Sequence, residues 1–381
     1  YEVEGLSDKL FWDNCNQTDF LDYSLPTHAV IAPTLHLNSK ESSILHLENS
    51  DSTSQNLASD TTDNFTPLAT QLLERLLVLL FTKGFTIAKD ATKLYSEPGI
   101  GSEAPFSAPN PVLDANRVEV IRLLTTLFSK SAFDLPLHCI GNGNRFLTFF
   151  VSQPKRKVEP LLFLIINLLC RSSRERDLGL VHTNSAVTES RFLLVTLATQ
   201  LLAILVVYPI PRNTKKAVNV YRKYLGWFPS VTGAKYVCES FMNILRGVIE
   251  TNESNNNNFV LLGAQKRPVP WLTETVILFW EHTQCNGVFR QTLKDNFVDE
   301  LLLILLYFNI NGSIIGNENL SRICTYFMIY LTSDSDLVAK LCTAPNEDVL
   351  NLLPASFKQS LSQTSRDIMV AQICLLIISW C

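Results

Sequence analysis

The sequence predicts an all-α protein in which helices stack one after another as an irregular solenoid. Three observations predict it. Apolar residues fill 46% of the 381 positions, and in run after run they recur at helical spacing. No stretch shows sustained two-residue alternation between hairpin turns, so strands are not expected. The helical runs are joined by short links and fall into units of about 25 to 45 residues without a clear sequence repeat, which is the pattern of HEAT/armadillo-like arrays. An irregular helical bundle is the second reading.

Taken in order, residues 1–12 end on Leu10, Phe11 and Trp12, an apolar anchor. Residues 13–66 turn to Ser, Thr, Asn and Asp. This composition buries too little to offset its ordering entropy, so an acidic, disordered insert is expected there. The solenoid is expected over residues 67–381. Its first helix, Leu72–Phe81, places Leu73, Leu76, Leu77 and Leu80 on one face and stops at Lys83-Gly84. Residues 95–113 form a Pro- and Gly-rich loop, too long to be a passive link in a compact protein.

The organising helix follows at Asp114–Ser129. Asn116 stands three residues before Glu119, the spacing of a capping box. Val118, Ile121, Leu124 and Phe128 repeat at helical intervals, and Val120, Leu123 and Leu127 widen the stripe. A helix apolar over so much of its girth needs neighbours on two sides. Gly141 to Asn144 reads as a turn, Arg145–Val151 as a short helix, and Val158–Cys170 as a buried one. Phe192–Val207 is the most apolar run, ended by Pro209 and Pro211. A basic helix over Asn213–Leu225 comes next. Helices are then expected at Tyr236–Ile249, Trp271–Glu281, Phe297–Phe308, Asn319–Leu331 and Ile368–Trp380, with a disordered loop at 252–268.

Charge is segregated along the chain. Residues 1–66 hold eleven acids against Lys9 and Lys40, whereas no acid lies between Glu189 and Glu239. The net charge of -4 and the low charged fraction of 18% argue against a nucleic-acid binder. Nine scattered cysteines, none at CxxC spacing and several inside apolar runs (Cys170, Cys238, Cys324, Cys374), read as buried reduced thiols of a cytoplasmic protein. The chain starts without Met and ends inside an apolar run, which reads as a piece of a longer protein.

Four stretches carry a family resemblance. They are Phe11-Trp12-Asp13; Leu72 to Leu77 running on to Leu80-Phe81 and Phe85-Thr86; Glu97 with Gly99, Ile100 and Gly101; and Asn116-Arg117, Glu119 and Leu123 to Thr125 ending at Phe128-Ser129. Together they resemble the high-temperature-induced dauer-formation family, peripheral Golgi proteins distantly similar to dymeclin. The resemblance implies a non-enzymatic role in Golgi vesicle trafficking and protein sorting in the secretory pathway. It implies protein partners from the trafficking machinery and gives no catalytic residues to transfer.

The residues themselves support no catalytic set. The glycine clusters lack a preceding strand and the Lys-Ser/Thr of a P-loop. No HxxxH or Cys/His ligand set appears, so neither metal nor cofactor is expected, and no small-molecule substrate. Phe192–Val207 is either a buried core helix or a membrane span. At about 24 Å it is short against a hydrocarbon core of roughly 30 Å. The strongest candidate surface is the basic segment 212–235, with Arg212, Lys215, Lys216, Arg222 and Lys223 beside Tyr224 and Trp227. It is either a solvated helix face or a contact with anionic headgroups at a peripheral membrane surface. The loop bearing Glu97, Gly99 and Gly101, closed by Asn116, Arg117 and Glu119, is either a partner-docking element or a rigid strap.

Overall fold

The computed structural model describes residues 67–89, 100–101, 110–129, 143–177, 186–211, 217–227, 230–256, 268–312 and 318–335. The chain divides into two compact units, Tyr1–Leu72 and Leu73–Cys381. Of the first, only residues 67–72 are described, and they open a helix. The anchor and the acidic insert lie outside the described residues, as do Ile368–Trp380 and Cys374.

The described residues are α-helical, with a single isolated bridge between Lys83 and Ile87 and no strand among them. The helices are α1 Leu68–Leu79, α2 Pro111–Phe128, α3 Arg145–Val151, α4 Lys155–Asp177, α5 Ala186–Val207, α6 Val220–Leu225, α7 Val231–Asn256, α8 Leu272–Cys285, α9 Gly287–Asn296, α10 Val298–Asn311 and α11 Glu318–Thr332. Their principal contacts join helices no more than three elements apart along the chain. Such progressive, local packing is what stacked helices produce.

Several helices begin or end away from where the periodicity places them. The expected capping box at Asn116 is not the start of α2. Asn110 caps that helix, accepting from the Val112 and Leu113 amides at 3.1 and 3.2 Å, and Pro111 fills the first helical position. Asn116 lies inside the helix and donates instead to the Phe85 carbonyl at 2.8 Å, while Glu119 pairs with Arg122 on the surface. The Asn run does not open a loop at residue 252, because α7 continues to Asn256. The basic helix is also shorter than expected. Residues 217–219 are non-helical, so α6 begins only at Val220. Between α8 and α10 stands α9, which the apolar pattern leaves unassigned.

The long apolar helix α5 is wrapped. From Arg191 to Val206 no residue of α5 is exposed, and its neighbours are α2, α4, α6 and α8. By length and composition Glu189–Val207 is apolar enough to cross a membrane. Spanning one would require it to leave all four neighbours. The seam with α2, the most extensive among the described helices, also buries charge. Asp114 is fully buried, bonded to Arg117 at 2.7 Å and 3.8 Å from Arg191 on α5.

Farther along, aromatic rings fill the junction of α7, α8, α9 and α11. Phe279 meets Phe241, Phe289 and Phe327 edge-on at 5.5 to 5.9 Å between centroids. His282 is buried among them, against Phe241 and Phe289, with Nδ1 donating to the Leu278 carbonyl at 2.7 Å. The thiols of Cys170, Cys238 and Cys324 are buried, as their apolar surroundings in the sequence require.

Burial pulls the His282 pKa down to about 4, with the Leu278 carbonyl opposing that shift. The unfolded chain therefore takes up this proton near pH 6.5, before the folded one does. Stability should be full above that pH and fall as pH drops toward 4, by on the order of 3 kcal/mol from this residue. Denaturant midpoints measured from pH 7 to pH 4 should show the slope, and His282→Asn should flatten it.

Candidate interaction surface

The surface around α6 is built by side-chain amides. Asn219 caps α6, accepting from the Arg222 amide at 3.0 Å. Its Nδ2 donates to the carbonyls of Leu205 at 2.7 Å and Tyr208 at 3.1 Å, at the end of α5. Asn286 caps α9 through the Phe289 amide at 3.0 Å and donates to the Leu225 carbonyl, at the end of α6, at 3.1 Å. Gly226 follows at once. A Cβ there would lie 2.8 Å from the Cys285 carbonyl, so only glycine lets the two backbones approach. The segment is thus held at both ends, with Tyr221 fully buried and stacked on Phe150 at 6.2 Å.

What faces outward differs from the basic patch that the sequence counts. Arg212, Lys215 and Lys216 lie outside the described residues. Arg222 does not stand free: it reaches Glu281 of α8 at 3.1 Å, Gln284 at 3.2 Å and the Cys285 thiol at 3.4 Å. Burial pushes the Glu281 carboxyl up, opposed by Arg222, and it pushes the Cys285 thiol up as well. Lys235 pairs with Glu239 at 3.8 Å. Lys223 is exposed. The local field is therefore weaker than a run of cations implies.

The aromatic half of the segment is clearer. Trp227 is 68% exposed, the most exposed large apolar side chain described, and Tyr224 is half-buried beside it, edge-on at 5.9 Å. Lys155, from the first turn of α4, places its ammonium 5.2 Å from the Tyr224 ring and 5.1 Å from the Trp227 ring. Sequence reasoning missed Lys155, which lies far from both rings along the chain. Only the stacking of α4 on α6 brings them together.

The residues of the Pro-rich loop that can be placed are tied down. Glu97 and Gly99 lie outside the described residues. The Gly101 amide donates to Asn167, buried in α4, at 3.3 Å. Asn116 holds the backbone after α1, and Arg117 is spent on Asp114. These anchors belong to a strap more than to an exposed dock.

The described part of the molecule is thus an all-helical protein whose distinctive chemistry lies on a helix-built surface. A family model described as "High-temperature-induced dauer-formation protein" matches residues 1–380, and the chain belongs to that family. Two relatives named Protein HID1 are similar. The mouse one is 26% identical and the human one 25%, over 65% and 64% of this chain and 34% of each relative. A fission-yeast relative, "Ubp5-interacting protein ftp105", is 22% identical over 72% of this chain and 31% of its own length. The chain thus spans about a third of the curated relatives it matches. No solved structure matches.

Asn219→Ala should remove a cap and leave carbonyls at the end of α5 without a donor. The combined loss is about 2 to 4 kcal/mol. Asn219→Ser should recover only the capping share. Chemical denaturation of the three proteins checks the order.

Proposed function

We propose that the chain is part of a non-catalytic scaffold of the secretory pathway, acting at Golgi membranes in vesicle trafficking and protein sorting. It would work from the cytoplasmic side by holding a membrane surface and protein partners. The observation that carries this reading is the α6 ledge, an exposed tryptophan fixed by a rigid, glycine-and-amide-braced turn next to a basic segment. Amphipathic aromatics beside cations are what a peripheral protein presents to headgroups. Family membership supports the trafficking role, and the name of the fission-yeast relative records a protein partner of its own. In the competing reading α5 anchors the protein across the bilayer, and the covered state of that helix weighs against it.

Vesicle flotation of the full chain tests the surface. The fair variant changes Lys215, Lys216 and Lys223 to Gln and leaves Arg222 in place, because Arg222→Gln would strand the Glu281 carboxylate. At about 1 kcal/mol for each cation near a charged surface, binding to anionic vesicles should fall by up to about a hundredfold. Thermal stability should not change. Unaltered binding would reduce the segment to a solvated helix face. Alkaline extraction separates the readings, since a peripheral protein is released and a spanning one is retained.

A further inference from the structure

Two aromatic rings around one ammonium group make a recognisable kind of site. Tyr224 and Trp227 stand at 74° to each other, so their faces and edges form two walls of an open notch. The Lys155 ammonium lies at nearly equal distance from both ring centroids, inside the range over which a cation is attracted to a ring. Lys155 is no fixed fixture of this notch. It is 46% exposed, and its nearest carboxylate, Glu159 one turn along α4, stands at 3.7 Å. The outer wall is the exposed Trp227, which leaves the notch accessible from solvent. The inner wall, Tyr224, is held by α6, whose two ends are fixed by Asn219 and Asn286. The notch is therefore preorganised, open, and occupied by a displaceable cation of the protein's own.

We propose that this notch binds the phosphocholine headgroup, deepening the membrane reading above by naming a lipid chemistry. The trimethylammonium takes the place of the Lys155 ammonium between the rings. A quaternary ammonium suits the place better than a lysine does: it carries the same charge, is weakly hydrated, and presents methyl groups to both ring faces. Lys155, once displaced, sits one headgroup length away from an anion it can meet, the phosphate of the same headgroup. Lys223, exposed on the same short helix, is a second cation of this surface. The exchange conserves charge contacts on both sides, with rings for the choline and lysine for the phosphate.

The experiment uses the full chain and three soluble probes, tetramethylammonium, phosphocholine and inorganic phosphate, titrated by NMR or calorimetry, with phosphatidylcholine vesicles as a separate arm. Phosphocholine should bind, and Trp227→Ala should weaken it at least fivefold. That side chain is exposed, so the fold is not at risk. Lys155→Ala carries the sharper signature. Emptying the notch should strengthen tetramethylammonium binding severalfold while weakening phosphocholine relative to it, because the phosphate loses its partner. Inorganic phosphate alone should bind weakly and should not respond to Trp227→Ala. If phosphocholine fails to bind, or if Trp227→Ala leaves it unchanged, the proposal is overturned. The same holds if Lys155→Ala weakens tetramethylammonium. Vesicle binding that survives in a Trp227→Ala protein would also overturn it, while leaving the membrane reading intact. Soluble phosphocholine binding without vesicle binding would uphold the notch and overturn the membrane source.

Discussion

The fold depends on how buried helix ends are satisfied. Every α-helix leaves donors at its start and acceptors at its end without partners inside the helix. On a surface, water meets them. Where the end of one helix is packed against the start of another, water is excluded. A single asparagine solves both halves, since its carbonyl oxygen accepts and its amide donates. This happens three times among the described residues. Asn144 caps α3 through the Leu147 amide and donates to the Phe128 carbonyl that ends α2. Asn219 joins α6 to α5, and Asn286 joins α9 to α6. Neither aspartate nor serine can do the same. Aspartate has no donor, and serine has one short hydroxyl for two distant tasks.

The Asn144 joint is crowded beyond its amide. The Tyr208 hydroxyl accepts from the Asn144 amide at 2.7 Å and donates to its carbonyl at 3.0 Å. Gly143 adopts a φ of 65°, and a Cβ there would lie 2.1 Å from Pro211. A left-handed backbone and a close approach both demand glycine at that position. Charge is also drawn in between helices. Asp114 and Arg117 share a bond inside the α2–α5 seam, and Arg246 grips Glu300 with both nitrogen arms between α7 and α10. A buried pair of this kind adds little net stability over an apolar substitute, yet losing one partner is costly. Of these contacts, Arg246 to Glu300 and the approach of Arg191 to Asp114 are the ones that cross from one helix to another.

Helix existence was legible in the sequence because it is written locally. The stripes Leu73, Leu76, Leu77 and Val118, Ile121, Leu124, Phe128 are buried as their spacing requires. The boundaries were less legible, because several residues could cap and only tertiary contact chooses among them. Asn116 has the spacing of a capping residue but is drawn inward to Phe85. Asn110, followed by a proline at the first helical position, was the better local signal. The missing α9 has a similar cause. Its apolar face is narrow, and its start is defined by the bond from Asn286 to a carbonyl 61 positions away. Charge was the least legible of all. Seven cations without an intervening acid look like a patch on paper. In space, Glu281 comes from α8 to meet Arg222, and Glu239 sits one turn from Lys235.

That cancellation bears on how such a protein can hold its targets. The core of the described helices is spent on holding neighbours together. Recognition must come from side chains that the packing fixes from behind and leaves open in front. A solvated lysine on a long stem fits that role poorly, because binding must first freeze its rotamers. An aromatic ring braced by a buried backbone fits it well: it has two torsions, a broad face, and an attraction for cations that salt screens less than a long-range field. The α6 turn meets this description through the Gly226 contact, the Asn286 bond and the stacked Tyr221. On these grounds we place the specific part of a contact at this surface in the Tyr224 and Trp227 rings. The remaining positive charge of the segment contributes attraction at a distance and little discrimination.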